Sequence, residues 1–423
     1  MLAGNGKFEA RGGNASQYSG GGGGGRIAVY YMTNTFAGTA QCSVAGGSKG
    51  ACYSTMLEDG ASGTLGFFDT SASGCDLHVS QMFRIEPFEA AHYGHIWLED
   101  GGDLELCSNS ALTVESPLGV PTNSTVRLLE GSLLHASNGV VVHGGGTLYL
   151  ERGSVANDSG NLVFEPGCTL ALQGATQLTI TNSPILAGIN IIIQDDAVLK
   201  SLDSDLVLDG TQCSLRNGAA LEPSGGFTIN NNSSLTIDGS SRLEVEFKSL
   251  RICSNSVIWC EGACITANVH GVWAGKGVTI AAGNIDIDET SRISADGLGY
   301  QPLSGGPGEQ TLSFTGGGYG GRGGSGQNGA KGGVAYGSAM EPRDLGSPSQ
   351  AGSYVTSAGA GGGAIELIAE DELCLDGAIT ANGNDMVYNA YAGGGAGGSI
   401  LIRARRLVGH GSLTARCVIY CFT

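Results

Sequence analysis

The chain has little charge, few aromatic rings and no long apolar run. Only 14% of its 423 residues are Asp, Glu, Lys or Arg, and 6% are Phe, Trp or Tyr. Long helices are built on Ala, Leu, Glu and Lys, so this composition excludes a helical bundle. No stretch reaches the roughly 18 apolar residues that a membrane-spanning helix needs. The opening MLAGNGKFEARGG lacks the basic-then-apolar order of a signal peptide. Basic residues are outnumbered, 21 against 39 acids, for a formal net charge of −18. Binding to nucleic acid or to an anionic membrane draws on clustered Lys and Arg, so neither is expected as a partner.

What the chain does have is glycine, 74 residues of it, and short runs of Val, Ile, Leu, Thr and Ser in which apolar and polar positions alternate. TLYLERGSVAN, NLVFEPGCTLALQG and FTINNNSSLTIDGSSRLEVEF have this form, and Asn-Gly, Asp-Gly and Asn-Asn turns interrupt them. Three such strands with their turns take about 20 residues, one coil of a solenoid, and coils stacked at about 4.8 Å would make a rod roughly 45 Å long. The expected fold is all-β, a right-handed parallel β-helix with glycine-rich loops. An antiparallel sandwich or barrel is the competing reading.

One unit recurs: a glycine run, a strand, a polar turn, then a short strand ending in Ala. GGGAIELIAEDELCLDGAITANGN at 361–384 is matched at 394–416 by GGAGGSILIRARRLVGHGSLTAR. Ile400, Ile402 and Leu407 fall where Ile365, Leu367 and Leu373 stand, and Leu413 falls close to Ile379. Further copies occupy 21–47 and, without the leading glycines, 278–297. The expected organisation is a partial glycine-rich repeat at 1–48, a connecting β segment at 49–94, the β-helix at 95–297, a glycine-rich loop region at 298–360, and glycine-rich β-helix repeats at 361–423. Both ends fall inside a repeat, so the chain is expected to be part of a longer protein with its leader upstream. Glycine holds every third position from Gly317 to Gly332. Without proline, that spacing suits a short polyproline II pack lying against the β-helix better than collagen. A flexible linker is the alternative, against which Tyr319, Tyr336 and Tyr354 argue.

The glycine-run units resemble the large glycine-rich, pectin-lyase-like β-helix proteins of plants and other eukaryotes, in which a GGGGGGRI-type strand precedes a GA-x-GT segment. The matching positions are Gly20 to Tyr31, Gly60 to Phe68, Gly316 to Gly324 with Tyr336 to Ser338, and Gly363 to Gly383. Single GGAI (362–365) and FTIN (227–230) tetrapeptides are also similar to motifs of chlamydial polymorphic surface proteins. The resemblance implies an adhesin-like, cell-surface or wall-associated structural protein without an established activity. Its partners would be cell-wall or extracellular glycans, or other surface proteins.

Pectin-lyase-like folds also include polysaccharide lyases and hydrolases, so a carbohydrate-active enzyme or a glycan-binding protein is the rival. Catalysis would need several carboxylates on neighbouring coils with a His and a cation close by. Asp195-Asp196 and His410 lie too far apart in sequence, and Asp195 suits a turn. His92 and His95, with Cys75 and His78 upstream, superficially suggest zinc, but strand residues three apart face opposite sides. ANGND at 381–385 is half of a calcium-binding nonapeptide and suits a plain turn. No catalytic, cofactor or metal residue is therefore assigned. Twelve Cys and the sequons at Asn14, Asn123, Asn157, Asn231 and Asn232 fit a secreted or cell-surface glycoprotein. Disulfides are expected between Cys42 and Cys52 and within the group Cys253, Cys260 and Cys264.

Overall fold

The structure, a computed structural model, describes residues 1–51, 57–71, 74–156, 162–181, 185–202, 205–302, 304–308, 315–326, 329–349, 358–385 and 393–416. Strands dominate it. Helical content is slight among the described residues, with a 3-10 turn at Thr39–Gln41. Two compact units are formed, Met1–Ser183 with Ala187–Ile192, and Pro184–Leu186 with Ile193–Thr423. Both contain long parallel sheets, and the fold is a parallel β-helix.

In the first unit each coil has three strands. One wall stacks Met82–Ile85, Asp103–Leu106, Thr125–Leu128, Thr147–Glu151 and Thr169–Gln173. A second stacks Ala90–Tyr93, Ala111–Val114, Leu133–Ala136 and Val155–Ala156, and a third Leu118–Val120, Val140–Val142 and Leu162–Phe164. The coil is 22 residues long, as the spacing of its inter-coil bonds shows. Period-2 alternation sends one set of side chains inward, so Leu104, Val126, Leu148 and Leu170 form one buried column and Leu106, Leu128, Leu150 and Leu172 another. Each fully buried Leu contributes about 1.5–3 kcal/mol. Outward residues form columns too. Glu105 lies between Arg84 at 2.6 Å and Arg127 at 3.4 Å, and Arg127 lies over the Tyr149 ring. Turn residues keep the period as well: Asn109, Gly131 and Gly153 take positive φ, and buried Ser110, Ser132 and Ser154 follow them.

Ahead of these coils, Arg26–Tyr31 pairs in parallel with Thr64–Asp69 over a core of Tyr31, Cys42, Val44, Leu65 and Phe67. The glycine runs beside it are not strands. They are extended segments that exchange backbone hydrogen bonds laterally: Gly22 N–H donates to Gly13 O, Gly47 to Gly22 O and Gly60 to Gly47 O, at 2.8–2.9 Å. Their approach leaves no room for a side chain, since a Cβ on Gly60 would stand 1.9 Å from Gly22 O and one on Gly47 1.9 Å from Gly13 O. Only glycine permits backbones to approach this closely.

The second unit begins with the same three-strand coil, whose inward column runs Cys213, Leu235, Ile258, Ile293, Ile379 and Leu413. From Arg242–Ile252 onward two walls merge into one long strand, continued by Val278–Ile287, Ala364–Leu375 and Ser399–Val408, with a register shift in each pairing. Ile365, Leu367, Leu373 and Ile379 pair with Ile400, Ile402, Leu407 and Leu413, the alignment read from the repeat. Glycine segments supply the remaining wall: Gly346 N–H donates to Gly362 O, Gly362 to Ala396 O, and Ala396 to Ser347 O. The stretch 316–333 folds back on itself through Gly316 to Gly324, Gly323 to Gly333 and Gly333 to Gly316 bonds, which makes it a pack of short extended segments. Tyr319 and Tyr336 meet edge-to-face at 5.1 Å, and their hydroxyls bond Ser399 and Ser347 respectively. Tyr354 lies outside the described residues.

Candidate functional site

The residues singled out from the sequence are dispersed. Asp195 and Asp196 occupy a left-handed turn, where Asn217 Nδ2 donates to Asp195 Oδ1 at 2.9 Å. His410 is fully exposed in another turn, 3.6 Å from Asp376. His92 bonds Glu115 and His95 bonds Asp76, each at 3.0 Å, so each imidazole has its own carboxylate. Among the described residues no group of three or more His, Cys, Asp or Glu could hold a metal ion. Of the sequons, Asn14, Asn123, Asn231 and Asn232 are exposed. Asn231 Nδ2 is engaged by Asp209, and Asn255 Nδ2 donates to Asn232 Oδ1 at 2.7 Å. Asn157 and Cys52 lie outside the described residues.

The nine described cysteines are free thiols, Cys42, Cys253, Cys260 and Cys264 among them. Cys42 is buried, with Sγ 3.3 Å from both Phe8 N and Gly38 O. Cys260 points into the core from Val257–Glu261, and burial pushes its thiol far up. Cys253 sits at a turn beside Asn230, and Cys264 is exposed. Cys253, Cys260 and Cys264 occupy three separate environments, since Cys260 faces inward from its strand while Cys253 and Cys264 fall at turns. Burial likewise raises Cys213 to about 12 and Cys168 to about 11, so these thiols act as small core hydrophobes.

Carboxylates along the strands are tied to cations. Glu222 bonds Lys200 at 2.6 Å, and buried Glu366 is held by Arg343 at 2.8 Å and by Arg403. The two arginines also reach Glu341, so a four-charge network anchors the end of the glycine-rich region to the long strands.

A concave site was not foreseen. In the first unit, a groove of about 420 Å³ is lined by His95, Trp97, Ser116, Gly119, Pro121 and His143, among others. It opens where a ladder is missing. Ile96–Leu98 pairs with Asp76–Val79 and Leu118–Val120 with Val140–Val142, but among the described residues no ladder joins Ile96–Leu98 to Leu118–Val120. Pro117 and Pro121 bracket the latter strand and have no N–H to offer. Leu118 donates to Gly139 O and Val120 accepts from His143 N, so the alternating backbone of Gly119 faces the groove.

Trp97 points outward, 54% exposed. Its ring lies nearly parallel to His78, 21° apart with centroids at 6.3 Å, and to His95, 14° apart at 5.9 Å. Burial pulls the His78 pKa down in spite of neighbouring Asp69, Asp76 and Glu99, which keeps that ring neutral. His143 Nδ1 faces Glu165 at 3.0 Å, as His95 Nδ1 faces Asp76. A carboxylate only accepts, so Nδ1 carries the proton and, in the neutral ring, Nε2 is left as an acceptor. A Cβ on Gly119 would stand 3.4 Å from His143 Nε2, which places that nitrogen over the groove floor.

This geometry offers an aromatic face, two acceptor nitrogens and unladdered backbone, with no Lys or Arg among the described lining residues. No family model matches the chain, nor does any curated protein or solved structure. Among the described residues no helix is long and apolar enough to cross a membrane.

Proposed function

We propose that the chain is a structural and adhesive β-helix module of a secreted or cell-surface protein, of the glycine-rich, pectin-lyase-like kind, and that it works by display, without bond-breaking chemistry. The observation that carries this reading is the use of its strand carboxylates. Glu105, Glu222 and Glu366 are each shared between two cations, which fixes them as cross-braces between coils and leaves them ill-suited to exchange protons with a substrate. Support also comes from Asp238 and Asp288, whose oxygens accept backbone N–H groups of neighbouring turns.

The test is incubation with soluble and insoluble polysaccharides, uronate-rich and neutral, followed by assays for new reducing ends and for unsaturated uronates absorbing in the ultraviolet. Retention of the protein on a polysaccharide or on wall material without products is expected. Turnover that a Glu366→Gln substitution abolishes would replace this reading with a lyase or hydrolase.

A further inference from the structure

We propose that the groove beside Trp97 is a binding site for a neutral glycan, a hexose or pentose ring stacked on the indole with its hydroxyls on His95 and His143. The inference names the partner of the adhesive reading and rests on it. Sugar rings present C–H-rich faces that pack on aromatic rings and a rim of hydroxyls that need acceptors and donors. Trp97 supplies the first, over half exposed on a strand whose other outward aromatic neighbours are imidazoles. The second is supplied by two Nε2 atoms, each set by an Nδ1–carboxylate bond, with Ser116 and the free backbone edge of Gly119 alongside.

Charge decides among glycans. The described lining residues include no Lys or Arg, Asp76 and Glu165 stand behind the two histidines, and the chain as a whole carries −18. A polyuronate would meet repulsion with no cation to offset it, so the ligand is uncharged. The volume of about 420 Å³ falls in the range of small-ligand clefts and suits a short stretch of chain.

Gly119 gives a test that leaves the fold alone. It is an outward strand position at ordinary φ, where valine is favoured, yet any side chain longer than alanine's would fill the groove against His143. Trp97→Ala removes a ring that is over half exposed, together with its stacking on His78 and His95. Native electrophoresis would be run through gels containing hydroxyethylcellulose, galactomannan, arabinoxylan or polygalacturonate, with far-UV circular dichroism and melting as fold controls. Wild type should be retarded by at least one neutral polysaccharide and not by polygalacturonate. Both Gly119→Val and Trp97→Ala should weaken that retardation at least tenfold while the far-UV spectrum is unchanged and the melting temperature falls by no more than a few degrees. Retardation undiminished in both variants, a preference for polygalacturonate, or capture of an extended peptide in place of any neutral glycan would overturn the assignment. Retention on wall material by wild type and both variants alike would overturn the groove while leaving the adhesive reading intact, whereas cleavage products would refute that reading itself.

Discussion

At the residue scale, single side chains bind one coil to the next. Asp238 accepts from Asn217 N at 2.8 Å while also capping its own turn through Ser240 and Ser241, and Asp288 repeats the arrangement with Ser254 and Thr290. Burial works to raise both carboxyls, but these N–H and hydroxyl donors outweigh it and hold them below the usual range. A depressed folded-state value means the stabilisation is fully present above the unfolded value near 3.9 and is lost as pH falls through the folded one. Melting temperature should therefore be flat through neutral pH with respect to these groups and fall below about pH 4, and an Asp238→Asn, Asp288→Asn double variant should show a shallower fall in the same titration. In the core, Leu148→Ala deletes a member of a buried column, and urea unfolding should register a loss of about 2–5 kcal/mol. The inward alternation that produces Leu148 is readable directly from TLYLE. The fate of Cys253, Cys260 and Cys264 is not, because proximity in sequence says nothing until the coil length fixes which of them turns inward.

At the scale of the element, the two kinds of wall differ in what they ask of the sequence. A β wall needs period-2 alternation and tolerates many residues. A glycine wall needs close backbone approach, so one methyl group is too much. Gly60→Ala places a carbon against Gly22 O and should lower the melting temperature by several degrees, whereas Gly13→Ala, with open space around it, should leave it within one degree or so. This difference explains why the repeats at 361–384 and 394–416 could be aligned to within one residue: the glycine runs mark the start of each long strand. It also explains why the merging of two walls at Arg242–Ile252 was not legible. The merger comes from a register shift between Val245 and Ser249, with Phe247 at positive φ, and no turn residue announces it. The Trp97 groove was hidden for a related reason. An isolated outward Trp carries no signal until the 22-residue period places it one coil from a glycine flanked by two prolines, PLGVP at 117–121.

At the scale of the whole molecule, the chain engages many of its polar groups with one another. Carboxylates brace coils, serines and asparagines line turns, and thiols fill core columns. What remains for partners is surface, and the Trp97 groove is the part of it with a built aromatic face. The groove exists only if the third wall of the first unit is laddered as described, with Gly119 opposite Val141 and its free edge toward Trp97. Residues opposed in a parallel ladder stand about 4.8 Å apart, inside the range a disulfide can span. The most direct measurement is therefore mild oxidation of a Gly119→Cys, Val141→Cys double variant, followed by peptide mapping under non-reducing conditions. A 119–141 disulfide forming in high yield, with neither new cysteine joined to a native one, is the predicted result. Absence of that link, or pairing of either new cysteine with a native one elsewhere, would contradict the register and with it the groove.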